Sequence, residues 1–320
     1  MLDHPFKSFV LAFDSVFGGL VALAFLSTMA CAQESMISLP KEMPFPESVT
    51  STADGTLYVS SISNGGIARA EPGSSHAKVW IKPGAFETRS TLGVFADEVK
   101  GILWVCSNDA SSLGLPGPSK IEGSYVKGFD LKSGVLKASI RLPAKPAFCN
   151  DFTLGKDGSL YVTNTAGPQI FRLAPGAKQL ELWFTDDALK GGLDGIAFGE
   201  DGNLYVNTFN SGEFFRVNIN NGVPQSVTKL ETSRGLSYPD ALRAVKGGFL
   251  MVEGAGTLDQ VTVSGNHAKV QDVQSFAGPT SVTLVKNKAW ISEGQLDHLK
   301  SLATKEALPS FQLRSINWPQ

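Results

Sequence analysis

At 320 residues, with 42% hydrophobic and 18% charged content, the chain is long enough to bury a substantial core. Its formal net charge of −2 excludes the basic stripe with which a general nucleic-acid binder neutralises phosphates, and no run of like charges marks an acidic or basic tail. The 33 glycines and 17 prolines, against 28 basic and 30 acidic residues, point to tight turns and short strands.

The first element in chain order is an apolar, uncharged stretch from Val16 to Ala30, closed by Ala30-Cys31-Ala32. A short hydrophobic core before an Ala-x-Ala pattern reads as a secretory signal peptide over residues 1–32, with the mature chain, 33–320, beginning near Gln33. At about 15 residues the stretch falls short of the roughly 20 that a membrane-spanning helix needs, so no stable membrane span is expected. The expected location is secreted or periplasmic. Lipid anchoring at Cys31 is the lesser alternative, because Thr28 and Met29 make a poor lipidation context. Without Cys31 two cysteines remain, Cys106 and Cys149. Export permits a disulfide between them, but two small buried residues on neighbouring strands is the plainer reading.

Beyond the leader the chain repeats itself. Glu47 opens ESVTSTADGTLYVSS, Asn150 opens NDFTLGKDGSLYVTN and Asp194 opens DGIAFGEDGNLYVNT. Each has Asp-Gly after the same interval, at Asp54, Asp157 and Asp201, followed by Leu-Tyr-Val. Looser copies start at Gly93, Asp240 and Thr280. Every copy reads as a β-hairpin: alternating apolar residues, a turn, then a strand rich in β-branched and aromatic residues. Further strand signals follow, such as Pro168 to Pro175 and Gly212 to Ile219. Four short strands per repeat, with starts roughly 40 to 57 residues apart, predict an all-β, six-bladed propeller. Ser111 to Ser124, rich in Gly, Pro and Ser, reads as a loop over one face. Met36 to Lys41 and Phe311 to Trp318 are the terminal strands available to close the ring. Closure removes most sheet edges, so a monomer is the default.

In a propeller the six repeat starts form a ring about the axis: Glu47, Gly93, Asn150, Asp194, Asp240 and Thr280. Three carboxylates and an amide then converge, although they are scattered along the sequence. Crowded like charges repel, and a bound divalent cation is the simplest resolution. Oxygen ligands suit calcium first, with magnesium, manganese or zinc as substitutes. Each acid taken singly would be an ordinary solvated turn residue; the shared register argues otherwise.

These motifs resemble the senescence-marker-protein (regucalcin), gluconolactonase and luciferin-regenerating-enzyme superfamily. The resemblance runs from about Pro44 to Trp318 and rests on Pro46-Glu47, Asn150-Asp151, Leu193-Asp194-Gly195 and Pro239-Asp240. It implies a six-bladed propeller holding one divalent cation near the axis and hydrolysing lactones. By position Glu47, Asp194 and Asp240 would be metal ligands, and Asn150 a ligand or substrate contact, with Asp151 beside the site. Two positions depart from the pattern. Asp194 stands where many members have Asn, and Phe148 where sugar lactonases have Arg, which argues against a polyhydroxylated substrate. Phe45, Phe95, Phe148 and Tyr238 near the ring would give the pocket an apolar wall, although packing between blades is the plainer reading of each.

The expected activity is therefore metal-dependent hydrolysis of a small-molecule lactone or related carboxylic ester. Asp240 is the first candidate for general base and Glu47 the second. The alternatives are a non-catalytic exported propeller that binds a protein or glycan around a structural metal, and a lyase or isomerase acting next to a carbonyl. The four histidines stand away from all ring positions, which disfavours a Ser-His-Asp triad.

Overall fold

The computed structural model describes residues 34–304 and 306–318; the segment 1–32 expected to be a signal peptide, Cys31 included, lies outside them. The described residues form six sheets, antiparallel except where the two-residue strand Glu231–Thr232 adds a parallel edge to the fifth. Blade 1 runs outward from Pro46–Ser51 through Leu57–Ser61 and Ile67–Ala70 to Lys78–Ile81. Blades 2 to 5 follow the same order from inner strands Ser90–Asp97, Cys149–Leu154, Leu193–Phe198 and Pro239–Val245. Blade 6 starts at Pro279–Val285 and closes the ring, because its inner strand packs against that of blade 1.

Both chain ends build blade 6. Gln312–Asn317 is its third strand and Ser35–Ser38 its fourth, paired from Ser35 opposite Ser315 to Ser38 opposite Gln312. The N-terminal strand also bonds onward to blade 1, with Ser38 N donating to Ser75 O at 3.0 Å and Ala77 N to Ser38 O at 2.9 Å. One short strand thus clasps the first blade to the last.

Each blade is sandwiched between two others, so both faces of its strands are buried and polar alternation is lost. Leu57, Tyr58 and Val59 are all buried, as are their counterparts Leu160 to Val162 and Leu204 to Val206. The tyrosines cross the seams: Tyr161 meets Phe198 of blade 4 at 5.1 Å and Tyr205 meets Phe249 of blade 5 at 4.8 Å between ring centroids. The buried apolar residues fall into six clusters, one per seam. Burying each such side chain is worth about 1.5–3 kcal/mol, and closure makes every blade contribute to two seams.

At the far end of each hairpin the repeated Asp caps its own turn. Asp54, Asp157 and Asp201 accept the backbone N–H of Thr56, Ser159 and Asn203 at 2.9, 3.0 and 3.1 Å. The insertion Ser111 to Ser124 links the second and third strands of blade 2, so it lies on the face where the inner strands begin. Arg89 holds it, donating to Pro116 O at 3.1 Å and Ile121 O at 2.7 Å while pairing with Asp109 at 2.9 Å.

Candidate functional site

The ring is made by a backbone defect repeated six times. Pro46 pairs with Ser61 but Val49 with Val59; Leu193 pairs with Thr208 but Ile196 with Val206; Pro239 pairs with Glu253 but Leu242 with Met251. Blades 2, 3 and 6 show the same slip. One extra residue on the inner strand is a β-bulge, which bends the strand and re-aims its side chain. The first bulged residues are Glu47, Leu92, Asn150, Asp194, Asp240 and Thr280.

Blade 2 therefore corrects the sequence reading: Leu92, not Gly93, holds the ring position. The hairpin turn between Asp97 and Ile102 is one residue shorter than that between Ser51 and Leu57, so matching turn to turn displaces the inner strand by one. Gly93 instead packs flat on the next blade, where an added Cβ would lie 2.0 Å from Asn150 O. It is the counterpart of Gly195, which packs on Asp240 O in the same way.

The other expected site residues do come together. Asn150 Nδ2 donates to Asp194 Oδ2 at 2.8 Å and to Thr165 Oγ1 at 2.8 Å. Asp194 and Asp240 lie close enough for each to act on the other's carboxyl. Glu47 lies close enough to feel the charge of Asp194. None of the four is more than 5% exposed.

Burial is the main force pushing the carboxyls of Glu47, Asp194 and Asp240 well above their ordinary range. The neighbouring carboxylates, Asp151 included, push the same way. Arg243 opposes them at Glu47 and Asp194. Its guanidinium grips Asp151 with two bonds, at 2.5 and 3.0 Å. Blades 3 and 5 flank blade 4, so this ion pair spans the channel and neutralises one of four clustered acids.

Several supports escaped the sequence reading. Where the bulge frees a backbone N–H, a polar side chain of the second strand takes it: Ser60 accepts from Ser48 N at 2.8 Å, Thr163 from Asp151 N at 3.0 Å and Asn207 from Gly195 N at 2.8 Å. Thr163 and Asn207 then donate to the carbonyls of Asp194, at 2.8 Å, and Asp240, at 2.6 Å. Each fixes the ring acid of the next blade. Their signal was the polar residue directly after each Leu-Tyr-Val. In blade 2 that place belongs to Cys106, which forms a disulfide with Cys149, the residue before Asn150.

Among the described residues no group of three or more His, Cys, Asp or Glu stands at metal-ligand spacing. The donor chemistry nonetheless fits a hard cation. Asp194 Oδ1 is a buried oxygen without a hydrogen-bond partner, and Asn150, with Nδ2 engaged twice, has its carbonyl oxygen left to give. A buried orphan acceptor among crowded carboxylates calls for a cation or a proton.

The aromatic residues divide. Phe45 is fully buried against Phe311, at 4.8 Å between ring centroids, so packing explains it. Phe95 and Phe148 are half-buried in the seam between blades 2 and 3. Tyr238 is 54% exposed at the mouth. A separate cavity of about 780 Å³ opens on the same face between the blade 2 insertion and Leu299 to Ala303; no ring acid lines it.

No protein-family profile and no curated protein matches the chain. Solved structures do. A gluconolactonase from Xanthomonas campestris matches with a TM-score of 0.62 at 15% identity, over 88% of this chain and 89% of that one. The fold the motifs called for is the fold present. A calcium-binding regucalcin from Agrobacterium tumefaciens matches with a TM-score of 0.58 at 17% identity, over 87% and 92%. So does a virginiamycin B lyase from Staphylococcus aureus, with a TM-score of 0.58 at 16% identity, over 89% and 99%. Hydrolase and lyase share this scaffold, so the site must decide the chemistry. No helix among the described residues is long and apolar enough to cross a membrane.

Proposed function

We propose that the chain is an exported, divalent-cation-dependent hydrolase of lactones or related carboxylic esters. The observation that carries this reading is the orphaned Asp194 Oδ1, buried among Glu47, Asp240 and Asn150. Those four residues would hold the cation, calcium by preference for oxygen donors. When bound, it supplies polarisation of the substrate carbonyl and charge stabilisation in the transition state.

The chain's own residues supply the proton chemistry. Asp240 takes a proton from the attacking water, and burial together with the neighbouring acids raises its affinity for that proton. Asn207 fixes its backbone by donating to its carbonyl. Glu47 is the second candidate. Arg243, tied to Asp151, lowers the repulsion that ionising these acids would otherwise build up.

The lyase reading has less support. A variant of the virginiamycin B lyase with one histidine replaced by alanine is catalytically inactive. Here His76 and His267 lie exposed at the outer edges of blades, His298 is exposed in the short helix Leu296–Lys300, and none of the three is among the ring residues. Export is supported by the leader pattern and by the Cys106–Cys149 disulfide, which persists in an oxidising compartment; N-terminal sequencing of mature protein should begin near Gln33. The activity is tested with a panel of lactones and aryl esters, run with added calcium and again after chelation. Calcium-dependent turnover is expected. An absence of turnover under both conditions would replace the hydrolase with a binding propeller.

A further inference from the structure

We propose that Tyr238 and Phe209 form an aromatic platform at the mouth of the ring that selects esters and lactones carrying a planar or apolar ring, with Tyr238 as the specificity-determining residue. This rests on the hydrolase reading above and adds the substrate class.

The argument starts from two equivalent positions. Phe45 and Tyr238 each stand two residues before a ring acid and directly before a proline, and both have left-handed backbone, with φ of 56° and 58°. Blades 4 and 6 use Gly192 and Gly278 at the same place, at 87° and 50°, where the conformation is free of Cβ strain. A bulky L-residue there is strained, more so before proline. Phe45 offsets the strain by burying its ring completely. Tyr238 leaves more than half of its surface in solvent, so packing does not account for it.

The loop is built to hold that conformation. Ser237 N donates to Glu253 Oε2, and Gly254 N donates to Tyr238 O at 2.8 Å. Arg234 locks the loop from below, bonding Glu253 at 2.5 Å, Asp259 at 2.9 Å and Asp272 at 2.8 Å. Strain that the surroundings over-determine is a mark of functional positions. Phe209 completes the surface. Its ring centroid lies 5.3 Å from that of Tyr238, and its N–H donates at 2.7 Å to the carbonyl of Gly192, two residues before Asp194. The pair therefore stands between the two blades that carry Asp194 and Asp240. A rigid aromatic pair, with Tyr238 exposed and Phe209 half-buried, offers stacking area at little entropic cost.

Phenyl acetate and methyl acetate should be compared as substrates of the cation-loaded protein, with acetanilide as the binding probe that is not turned over. Tyr238→Gly should raise the melting temperature by relieving strain, yet raise KM for phenyl acetate about tenfold while kcat falls less. Methyl acetate should be affected less in both. Tyr238→Phe should keep the phenyl preference, and Phe209→Ala should lose part of it. Unchanged KM for phenyl acetate in Tyr238→Gly would overturn the platform and leave the hydrolase reading standing. If the wild type turns over neither ester, acetanilide titration still decides: about tenfold weaker binding by Tyr238→Gly supports the platform, and equal binding overturns it.

Discussion

Blades 1 and 4 carry a carboxylate at both ends of the inner hairpin, blade 3 adds a turn acid and blade 5 a ring acid, and the two ends behave in opposite ways. At the turn, Asp54 is held below the usual carboxylate range by the Thr56 N–H and the Thr52 hydroxyl. At Asp157 and Asp201 partial burial works the other way, but hydrogen bonds from Ser159 and Asn203 outweigh it. At the mouth, Glu47, Asp194 and Asp240 are pushed up by burial and by one another. The residue type is the same; solvent and donors differ. A turn carboxylate is satisfied by its own backbone, whereas a ring carboxylate is left with an unmet need that a proton or a cation must fill. Repetition placed the acids, and the bulge determined which of them became chemical groups.

The largest effect should come from breaking the mouth. Asp240→Asn keeps shape and one oxygen but removes most of the basicity. Turnover by the cation-saturated variant should fall by roughly a hundred- to ten-thousand-fold, with a smaller loss of cation affinity because Glu47, Asp194 and Asn150 remain. Measuring kcat at saturating cation separates lost base from lost ligand. Undiminished turnover would transfer the role to Glu47.

The turn end was plain in the sequence because Asp-Gly and Leu-Tyr-Val are local signals, repeated in register. The ring acids followed from that register, and all five polar or charged ring positions, Glu47, Asn150, Asp194, Asp240 and Thr280, stood where the copies put them. Blade 2 was misread because one turn residue is missing, and a one-residue slip changes which side chain faces the axis. Arg243 could not be found in this way. Its partner Asp151 lies two blades off, and a contact across a channel leaves no trace in the period of the repeat. The disulfide was left open for the same reason: Cys106 and Cys149 become neighbours only once blades 2 and 3 are packed.

A smaller effect, and a sharper comparison, comes from pH. Groups whose folded pKa is raised bind more protons when folded, so their contribution to stability is present at low pH and lost as pH rises through the raised value. Cation-free protein should therefore lose melting temperature as pH climbs from about 4 toward neutral. Added calcium should reverse the part due to the ring, since it binds the folded state alone, and should do so less at low pH, where protons compete. Asp259 adds a fall that calcium cannot reverse: burial first, then the hydrogen bond and charge of Glu253, push it up to about 7. Thermal melts across pH with and without chelator measure both parts. A metal-free protein that gains stability between pH 4 and 7 would contradict the raised values at the mouth.

The smallest effect belongs to the turn. Asp157 accepts the Ser159 N–H at 3.0 Å and the Ser159 hydroxyl at 2.7 Å. Asp157→Ala removes both bonds from an exposed turn, where water replaces them at a net cost of about 0.5–1.5 kcal/mol. In a chain of this size that lowers the melting temperature by roughly 1–4 °C. Cation affinity and turnover should stay at the wild-type level, since the turn lies at the opposite end of the blade from Asn150. The sign of the pH dependence should also be opposite to that of the ring. A lowered folded pKa contributes stability above the ordinary carboxylate range and loses it as pH falls through the lowered value, so wild type and Asp157→Ala should converge in acid below that value. Asp157→Asn, which keeps one acceptor oxygen, should recover part of the loss at neutral pH. A change in cation affinity in either variant would mean that the two ends of the blade are coupled, and that the mouth depends on more than the side chains that form it.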